Sequence, residues 1–157
     1  MSRVQLALKV SDLDRSVQFY STLFGVEPAK RRPGYANFAI DEPPLKLVLL
    51  EGEPGQPTVM DHLGVEVFST DEVTAATTRL TGSGLVTLTE DDTECCYAVQ
   101  DKVWVRGPGD EPWEVYVVKG DADRLTKEDT AACRCGQADD AQADDDQPAT
   151  AAAGCCG

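Results

Sequence analysis

Apolar and polar positions along the first 120 residues follow two alternating rhythms. In "VQLALKV" (residues 4–10) apolar side chains recur at nearly every second position, the period of a strand with one buried face. From Leu13 the period lengthens, and Leu13, Val17, Tyr20 and Phe24 line one face of a helix. The same succession returns further along. "DHLGVEVFSTDEVTAATTRLTG" (61–82) overlays "VQLALKVSDLDRSVQFYSTLFG" (4–25) at a shift of 57, with His62 on Gln5, Leu63 on Leu6, Val65 on Leu8, Val67 on Val10 and Gly82 on Gly25. Val73, Ala76 and Leu80 make the second, weaker helical stripe. Ser11 with Asp14, and Ser69 with Glu72, read as capping boxes at the two helix starts. Gly25, and Gly82 or Gly84, read as helix ends.

The closing strands overlay too. "PLKLVLLEG" (44–52) falls on "PWEVYVVKG" (112–120) at a shift of 68, which sets Lys46 on Glu114. The second copy is therefore about 11 residues longer in its middle. The first copy has room there for strands in "EPAKRRP" and "YANFAI", the second for "LVTLTE" and "CYAVQDKVWVRG", the last with a bend at Gln100–Asp101. The pattern predicts an α+β fold: two tandem βαβββ modules, about 2–52 and 58–119, closing one domain over 1–119 around a cupped mixed sheet. The extra stretch contains "EDDTECCYAV" (90–99). It reads as a mobile loop beside the cup, in which Cys95 and Cys96 turn their sulfurs the same way.

Composition changes near residue 120. The body carries 19 acidic and 11 basic residues; residues 120–157 carry 9 and 3, with one Leu and no Val, Ile, Phe, Tyr or Trp. Such a segment buries too little surface to offset its chain entropy. It predicts a mostly disordered acidic tail, with a helical turn around "DRLTKEDTAA" (123–132). A net charge of −14 repels phosphate backbones and anionic lipid, arguing against nucleic-acid and membrane-surface partners. No apolar run approaches the roughly 20 residues that span a bilayer, and "MSRVQLALKV" is too short and polar for an export signal. The reading is a soluble cytoplasmic protein. Its six cysteines, 95, 96, 133, 135, 155 and 156, come in close pairs that cannot staple a fold. In a reducing compartment, such pairs suit metals, metalloids or redox chemistry.

The chain has a single histidine, His62. A lone histidine is most often a packed or surface residue; its overlay on Gln5 is what singles it out. A pseudo-twofold axis between the copies sets Gln5 and His62 face to face, with Glu114 reaching in from the neighbouring strand. One imidazole, one carboxylate and one amide oxygen suit a divalent transition metal and leave positions open. Lys46, overlaying Glu114, removes a fourth ligand. Cys95 and Cys96 have a bland reading as small buried hydrophobes. Strand neighbours face opposite sides, however, so both cannot fill one core.

Paired βαβββ modules with these residues resemble the vicinal oxygen chelate superfamily, which includes glyoxalase I, extradiol dioxygenases and fosfomycin-resistance proteins. "VQLALKV", "PAKRRPGYANFAI", "PPLKLVLLE", "HLGVEV", "CCYAVQDKVWV" and "GPGDEPWEVY" are similar to its ArsI/CadI-type members, over about residues 2–118. The resemblance implies a non-haem Fe(II)-dependent dioxygenase, with O2 as co-substrate, that breaks the carbon–arsenic bond of trivalent organoarsenicals such as methylarsenite to give arsenite. It implies Gln5, His62 and Glu114 as metal ligands, with Ni, Co, Mn or Zn able to occupy the site. It implies Cys95 and Cys96 as the arsenical-binding thiols. Two rival readings stand beside it: a non-catalytic thiol protein that holds cadmium or arsenite, and a thiol-dependent isomerase or transferase of the glyoxalase kind. Oligomeric state is left open.

Overall fold

The computed structural model describes residues 2–125. The elements are β1 (Arg3–Val10), α1 (Leu13–Phe24), β2 (Lys30–Arg32), β3 (Tyr35–Ile40), β4 (Leu45–Glu51), β5 (Val59–Val67), α2 (Thr70–Gly82), β6 (Thr87–Cys95), β7 (Ala98–Arg106) and β8 (Pro112–Asp121). This is βαβββ twice, as the repeat predicts. The strands form one mixed sheet in the order β2-β3-β4-β1-β5-β8-β7-β6. Each module closes by pairing its first strand parallel to its last, β1 with β4 and β5 with β8. The modules join where β1 pairs antiparallel with β5.

The repeat is written into that seam. Leu6 pairs with Leu63, Gln5 with Gly64 and Ala7 with His62. The 57-residue shift maps Leu6 onto its own partner and exchanges the other two pairs, so the pseudo-twofold axis passes through the Leu6–Leu63 pair.

Both helices cover the same face of the sheet. Leu13 and Val17 of α1 pack on Val10, Phe38, Ile40, Leu47 and Leu49, while Val73 and Ala76 of α2 pack on Val67, Val103 and Val117. The α1 cap is Asp12 rather than the expected Ser11: its carboxylate accepts from the Arg15 N–H at 2.9 Å. Asp12 stands directly before the first buried position, Leu13, and aspartate caps as well as serine. Ser69 caps α2 as expected, and Glu72 returns the bond to the Phe68 N–H at 3.0 Å. Gly25 ends α1 in the left-handed conformation that glycine tolerates best.

The extra middle of module two is a longer hairpin, not a loop. Residues Glu90 to Cys95 lie in β6, and only Cys96 and Tyr97 make the turn, both with positive φ (56° and 60°) as a two-residue hairpin turn of mirror-image type requires. Two bulges bend this hairpin. Asp91 and Asp92 bulge out of β6, and Lys119 bulges out of β8 opposite Val99 and Gln100, beside the expected bend. Asp101 of β7 ties them: its carboxylate accepts from the Asp92 N–H (2.9 Å), the Thr70 hydroxyl (2.6 Å) and the Lys119 amine (3.1 Å). The hairpin tip meets module one, where the Tyr97 hydroxyl donates to Pro33 O (3.0 Å) and the Lys30 amine to Tyr97 O (3.1 Å).

β8 runs to Asp121, and residues 122–125 fold back against the tip. The disorder expected further on, the rest of the helical turn at 123–132 and Cys133, Cys135, Cys155 and Cys156 lie outside the described residues. Among the described residues no helix is long and apolar enough to cross a membrane.

Phe38 is fully enclosed under α1, whereas Phe19 on the same helix's outer face is 58% exposed. Phe38→Ala is expected to lower the unfolding free energy by about 3–5 kcal/mol. Phe19→Ala is expected to change it by less than about 0.5 kcal/mol. Urea melts of the two variants check both values.

Candidate metal and thiol site

The face of the sheet away from the helices is concave. Gln5 from β1, His62 from β5 and Glu114 from β8 point into it, all buried. Gln5 Nε2 lies 3.0 Å from His62 Nε2 and 2.7 Å from Glu114 Oε1, and His62 Nε2 lies 3.3 Å from Glu114 Oε1. The backbone between them is Gly64, paired with both Gln5 and Glu114. A Cβ there would stand 3.1 Å from Glu114 Cγ and 3.2 Å from Gln5 Cβ, so glycine is what lets the side chains close up.

The fourth corner differs from the expectation. Ala7 is the seam equivalent of Gly64, and Ala7 pairs with Val48 where Gly64 pairs with Glu114. Val48, not Lys46, therefore matches Glu114 in the ladder. The closing strands pair two residues out of step with their sequence overlay. Lys46 lies lower in the cup, bonded to Glu66 at 2.8 Å and over the Tyr116 ring. The fourth corner is apolar and offers no ligand.

Each of the three side chains is held from behind. Asp61 Oδ2 bonds His62 Nδ1 at 2.6 Å, and Lys9 lies 3.1 Å from Asp61 Oδ1. Neighbours on a strand normally face opposite ways; a bulge between Ala7 and Leu8 leaves Asp61 unpaired and turns its carboxylate to the imidazole. The Trp104 ring stands edge-on to His62 at 5.4 Å. Lys102, itself buried, donates to Glu114 Oε2 at 2.8 Å. The Tyr116 hydroxyl donates to the Gln5 amide oxygen.

These contacts set the charges. Burial would lower the His62 pKa, but Asp61 and Glu114 outweigh it and hold it up at about 9. Burial would raise the Glu114 pKa, but Lys102 and His62 hold it well below the usual carboxylate range. Lys102 is likewise held above its ordinary range, against burial, by Glu114 and by the nearby Cys95 and Cys96. Two hydrogen-bond patterns satisfy the cluster. With a neutral imidazole, the Gln5 amide NH2 donates to both His62 Nε2 and Glu114. With an imidazolium, Gln5 turns its oxygen inward and its NH2 to Tyr116, whose hydroxyl serves as donor or acceptor. The second pattern gathers imidazole nitrogen, amide oxygen and carboxylate oxygen around one positive point.

That point fits a divalent metal. Donors on adjacent corners of an octahedron with bonds of about 2.1 Å stand about 3 Å apart, and the three separations here are 2.7, 3.0 and 3.3 Å. No group of three or more His, Cys, Asp or Glu side chains able to hold a metal occurs among the described residues, so such a centre depends on the amide of Gln5.

Cys95 ends β6 and Cys96 opens the turn. The left-handed backbone at Cys96 cancels the strand alternation, and the two sulfurs, not joined in a disulfide, stand 3.2 Å apart. Beside them an apolar wall of Ala7, Tyr35 and Val48 lines the cup, with Leu50 and Tyr97 against it. Ala7 pairs with His62, so the wall runs from the polar cluster to the thiols. Gln100 donates to Cys95 O at 3.3 Å, and its amide oxygen is buried without a partner in the structure. The structure brings together Gln5, His62 and Glu114, the three residues the sequence singles out, and sets Cys95 beside Cys96. The sequence does not flag Asp61, Tyr116, Trp104 or Gln100: Asp61 and Tyr116 overlay valines, Val4 and Val48, and Trp104 and Gln100 lie in the longer middle of module two.

Residues 3–115 match the model of the glyoxalase/bleomycin resistance protein/dioxygenase superfamily. The chain is 68% identical over 133 residues to a trivalent organoarsenical cleaving enzyme of Thermomonospora curvata, covering 85% of this chain and 88% of that protein. That match exceeds the 119-residue body, so the likeness runs into the segment that the sequence reading left outside. The chain is 63% identical over 123 residues to the cadmium-induced protein CadI of Mycobacterium tuberculosis, covering 78% and 80%. An extradiol ring-cleaving dioxygenase from B. fuscum shares the fold with a TM-score of 0.55 at 21% identity, over 78% of this chain and 34% of that one.

His62, alone in the chain, gives an unobstructed proton NMR titration. In metal-free protein its midpoint is expected near 9, and Asp61→Asn is expected to lower it by more than about one unit. Because the folded pKa lies above the unfolded value of about 6.5, His62 stabilises the fold fully below that pH. The contribution is lost as pH rises through about 9. A midpoint at or below 6.5 would contradict the charge assignment.

Proposed function

The chain belongs to the glyoxalase/bleomycin resistance protein/dioxygenase superfamily, and from that premise we propose that it cleaves the carbon–arsenic bond of trivalent organoarsenicals such as methylarsenite, releasing arsenite. One observation carries the reading: two adjacent thiols 3.2 Å apart facing the same cup as a Gln–His–Glu cluster. The identity to the T. curvata enzyme supports it.

Cys95 and Cys96 take the arsenic. Trivalent arsenic is soft and prefers sulfur; a soft atom about 2.3 Å from each sulfur subtends an angle of about 90°, as a pyramidal trivalent centre requires. The second As–S bond forms at high effective concentration once the first is made. Each bond joins a thiol to an arsenic hydroxyl and expels water, so no charge enters the buried site. The wall of Ala7, Tyr35 and Val48 receives the carbon group and leads it towards the cluster. Gln5 Oε1, His62 Nε2 and Glu114 Oε1 would hold the metal, Fe(II) in this reading with Mn, Co, Ni or Zn as competitors, and the bound metal would supply open positions for O2 activation. Asp61 fixes the imidazole through Nδ1 and Tyr116 fixes the amide of Gln5, as outer partners of a metal site do. The tip of the β6–β7 hairpin covers the cup and keeps water from the reacting carbon.

The likeness to CadI favours a second reading, a non-catalytic thiol protein that holds cadmium. The readings differ in protons. Thiols lose two protons to bind a divalent cation, so its affinity rises about 100-fold per pH unit below the thiol pKa. Condensation with an arsenic hydroxyl releases water and no proton, so methylarsenite affinity for the Cys95–Cys96 pair should depend on pH less steeply than cadmium affinity does.

The decisive assay loads the protein with Fe(II) without air, adds methylarsenite, admits air and resolves arsenic species by chromatography. Arsenite is expected, with formaldehyde, the carbon product that atom balance requires for one O2 per methylarsenite. His62→Ala and Glu114→Gln should lower arsenite formation by about 100-fold or more, and Cys95→Ser/Cys96→Ser should abolish arsenite formation. Arsenite no higher than in a metal-free control would sink the lyase reading.

A further inference from the structure

We infer that residues 122–125, beyond the last strand, are a working part of the thiol site: their backbone fixes the turn that carries Cys96, and the Leu125 side chain walls the pocket that takes the organic group of a thiol-bound arsenical. The inference rests on the arsenical-binding reading of Cys95 and Cys96.

The turn needs outside support. Cys96 and Tyr97 both hold left-handed φ angles, which non-glycine residues adopt at a cost. In a two-residue turn these N–H groups face away from the hairpin ladder. Here Cys96 N–H donates to Leu125 O at 2.6 Å and Tyr97 N–H to Arg124 O at 2.8 Å, while Tyr97 O accepts from Ala122 N–H at 3.1 Å. From the other side the Gln100 amide holds Cys95 O. The backbone that sets the separation of the two sulfurs is thus gripped by the segment after β8.

The side chain of Leu125 adds the second role. It packs on the cluster of Ala7, Tyr35 and Val48, together with Cys96 and Tyr97. It also lies against Gly34, where a Cβ would stand 3.7 Å from Leu125 Cδ2. This is the apolar wall that reaches from the seam beside His62 to the thiols. Arsenic bonded to both sulfurs has one substituent left, its carbon group, and this wall is the apolar surface within its reach. Leu125 therefore bounds the space open to that group and discriminates by its size.

The test uses the full chain with Leu125→Ala and Leu125→Met. Alkylation of Cys95 and Cys96 is followed by peptide mass mapping, so that the other four cysteines do not interfere, and the arsenical concentration giving half protection is measured. Leu125→Ala should speed alkylation of the pair about tenfold, as loss of a half-buried leucine loosens the local structure. It should raise the half-protection concentration about tenfold for a trivalent phenylarsenical and less for methylarsenite. Leu125→Met should restore both to within about twofold, as a swap of similar volume does. A merely structural leucine would shift both arsenicals alike, and that result overturns the inference, as does an alanine variant identical to wild type. If neither arsenical protects the wild-type pair, the arsenical-binding reading itself fails, whatever the Leu125 variants do.

Discussion

Everything at the centre of this protein depends on one strand pairing, β1 against β5. It is the place where the two modules share backbone hydrogen bonds, and its register fixes which side chains meet. With Leu6 opposite Leu63, Gln5 and His62 fall one step to either side on the concave face. Glu114 then arrives through the Gly64 pair. A slip of one residue would turn all of these side chains to the helix-covered face. The apolar residues of the seam and the polar cluster are therefore under the same constraint: the register that sets Leu6 opposite Leu63 on the helix side is the register that gathers Gln5, His62 and Glu114.

The second organising element is the curvature of the β6–β7 hairpin. The acidic run before the thiols explains itself here as geometry. Asp92 is the bulged residue, with φ of 51°, and its N–H and carboxylate are tied to Asp101 and Lys119. A bulge increases local twist and bend, and two bulges flanking Asp101 carry the tip across to Pro33 and Lys30 of module one. Burial would raise the Asp101 pKa, but its bonds from Asp92, Thr70 and Lys119 keep it below the ordinary value, so it stays charged in this role. Within this stretch, Asp92 helps to aim the hairpin tip through its ties to Asp101 and Lys119.

The sequence made legible what the repeat duplicates. Both helices, the seam, Gln5 and His62 follow from the 57-residue overlay, because equivalent positions in paired modules must meet near the axis, and Glu114 follows from the closing strands, which overlay at a shift of 68. It did not reveal what breaks the repeat. Asp61 reaches His62 only through a bulge, which no periodicity announces. Lys46 overlays Glu114 in sequence, but strand pairing follows backbone geometry, and the register sets Val48 there instead. "EDDTECCYAV" reads as a loop because copy one has no counterpart for it and both sulfurs must turn the same way; a hairpin with a left-handed turn at Cys96 meets both conditions, and ties from Asp92 to Asp101 and Lys119 hold its strand. Leu125 was hidden by its surroundings, a single apolar residue at the start of a segment too polar to form a core.

The two ends of the cup differ in what they accept. Around the cluster, the carboxylates of Asp61 and Glu114 face the amines of Lys9 and Lys102, so the fixed charges balance. The raised pKa of His62 follows from its place between two carboxylates: the point between Gln5, His62 and Glu114 favours a positive occupant, a proton or a metal. A metal in the place the proposed reading gives it would take the Nε2 lone pair that the proton occupies, with the Gln5 oxygen turned inward in both states. At the thiols the logic is reversed. They stand beside a wall of Ala7, Tyr35 and Val48, where introducing net charge is costly. In the proposed reading, exchange of two thiol hydrogens and two arsenic hydroxyls for two As–S bonds, with water leaving, would keep that end neutral, and a cation at one end and a soft centre at the other would not compete for the same side chains.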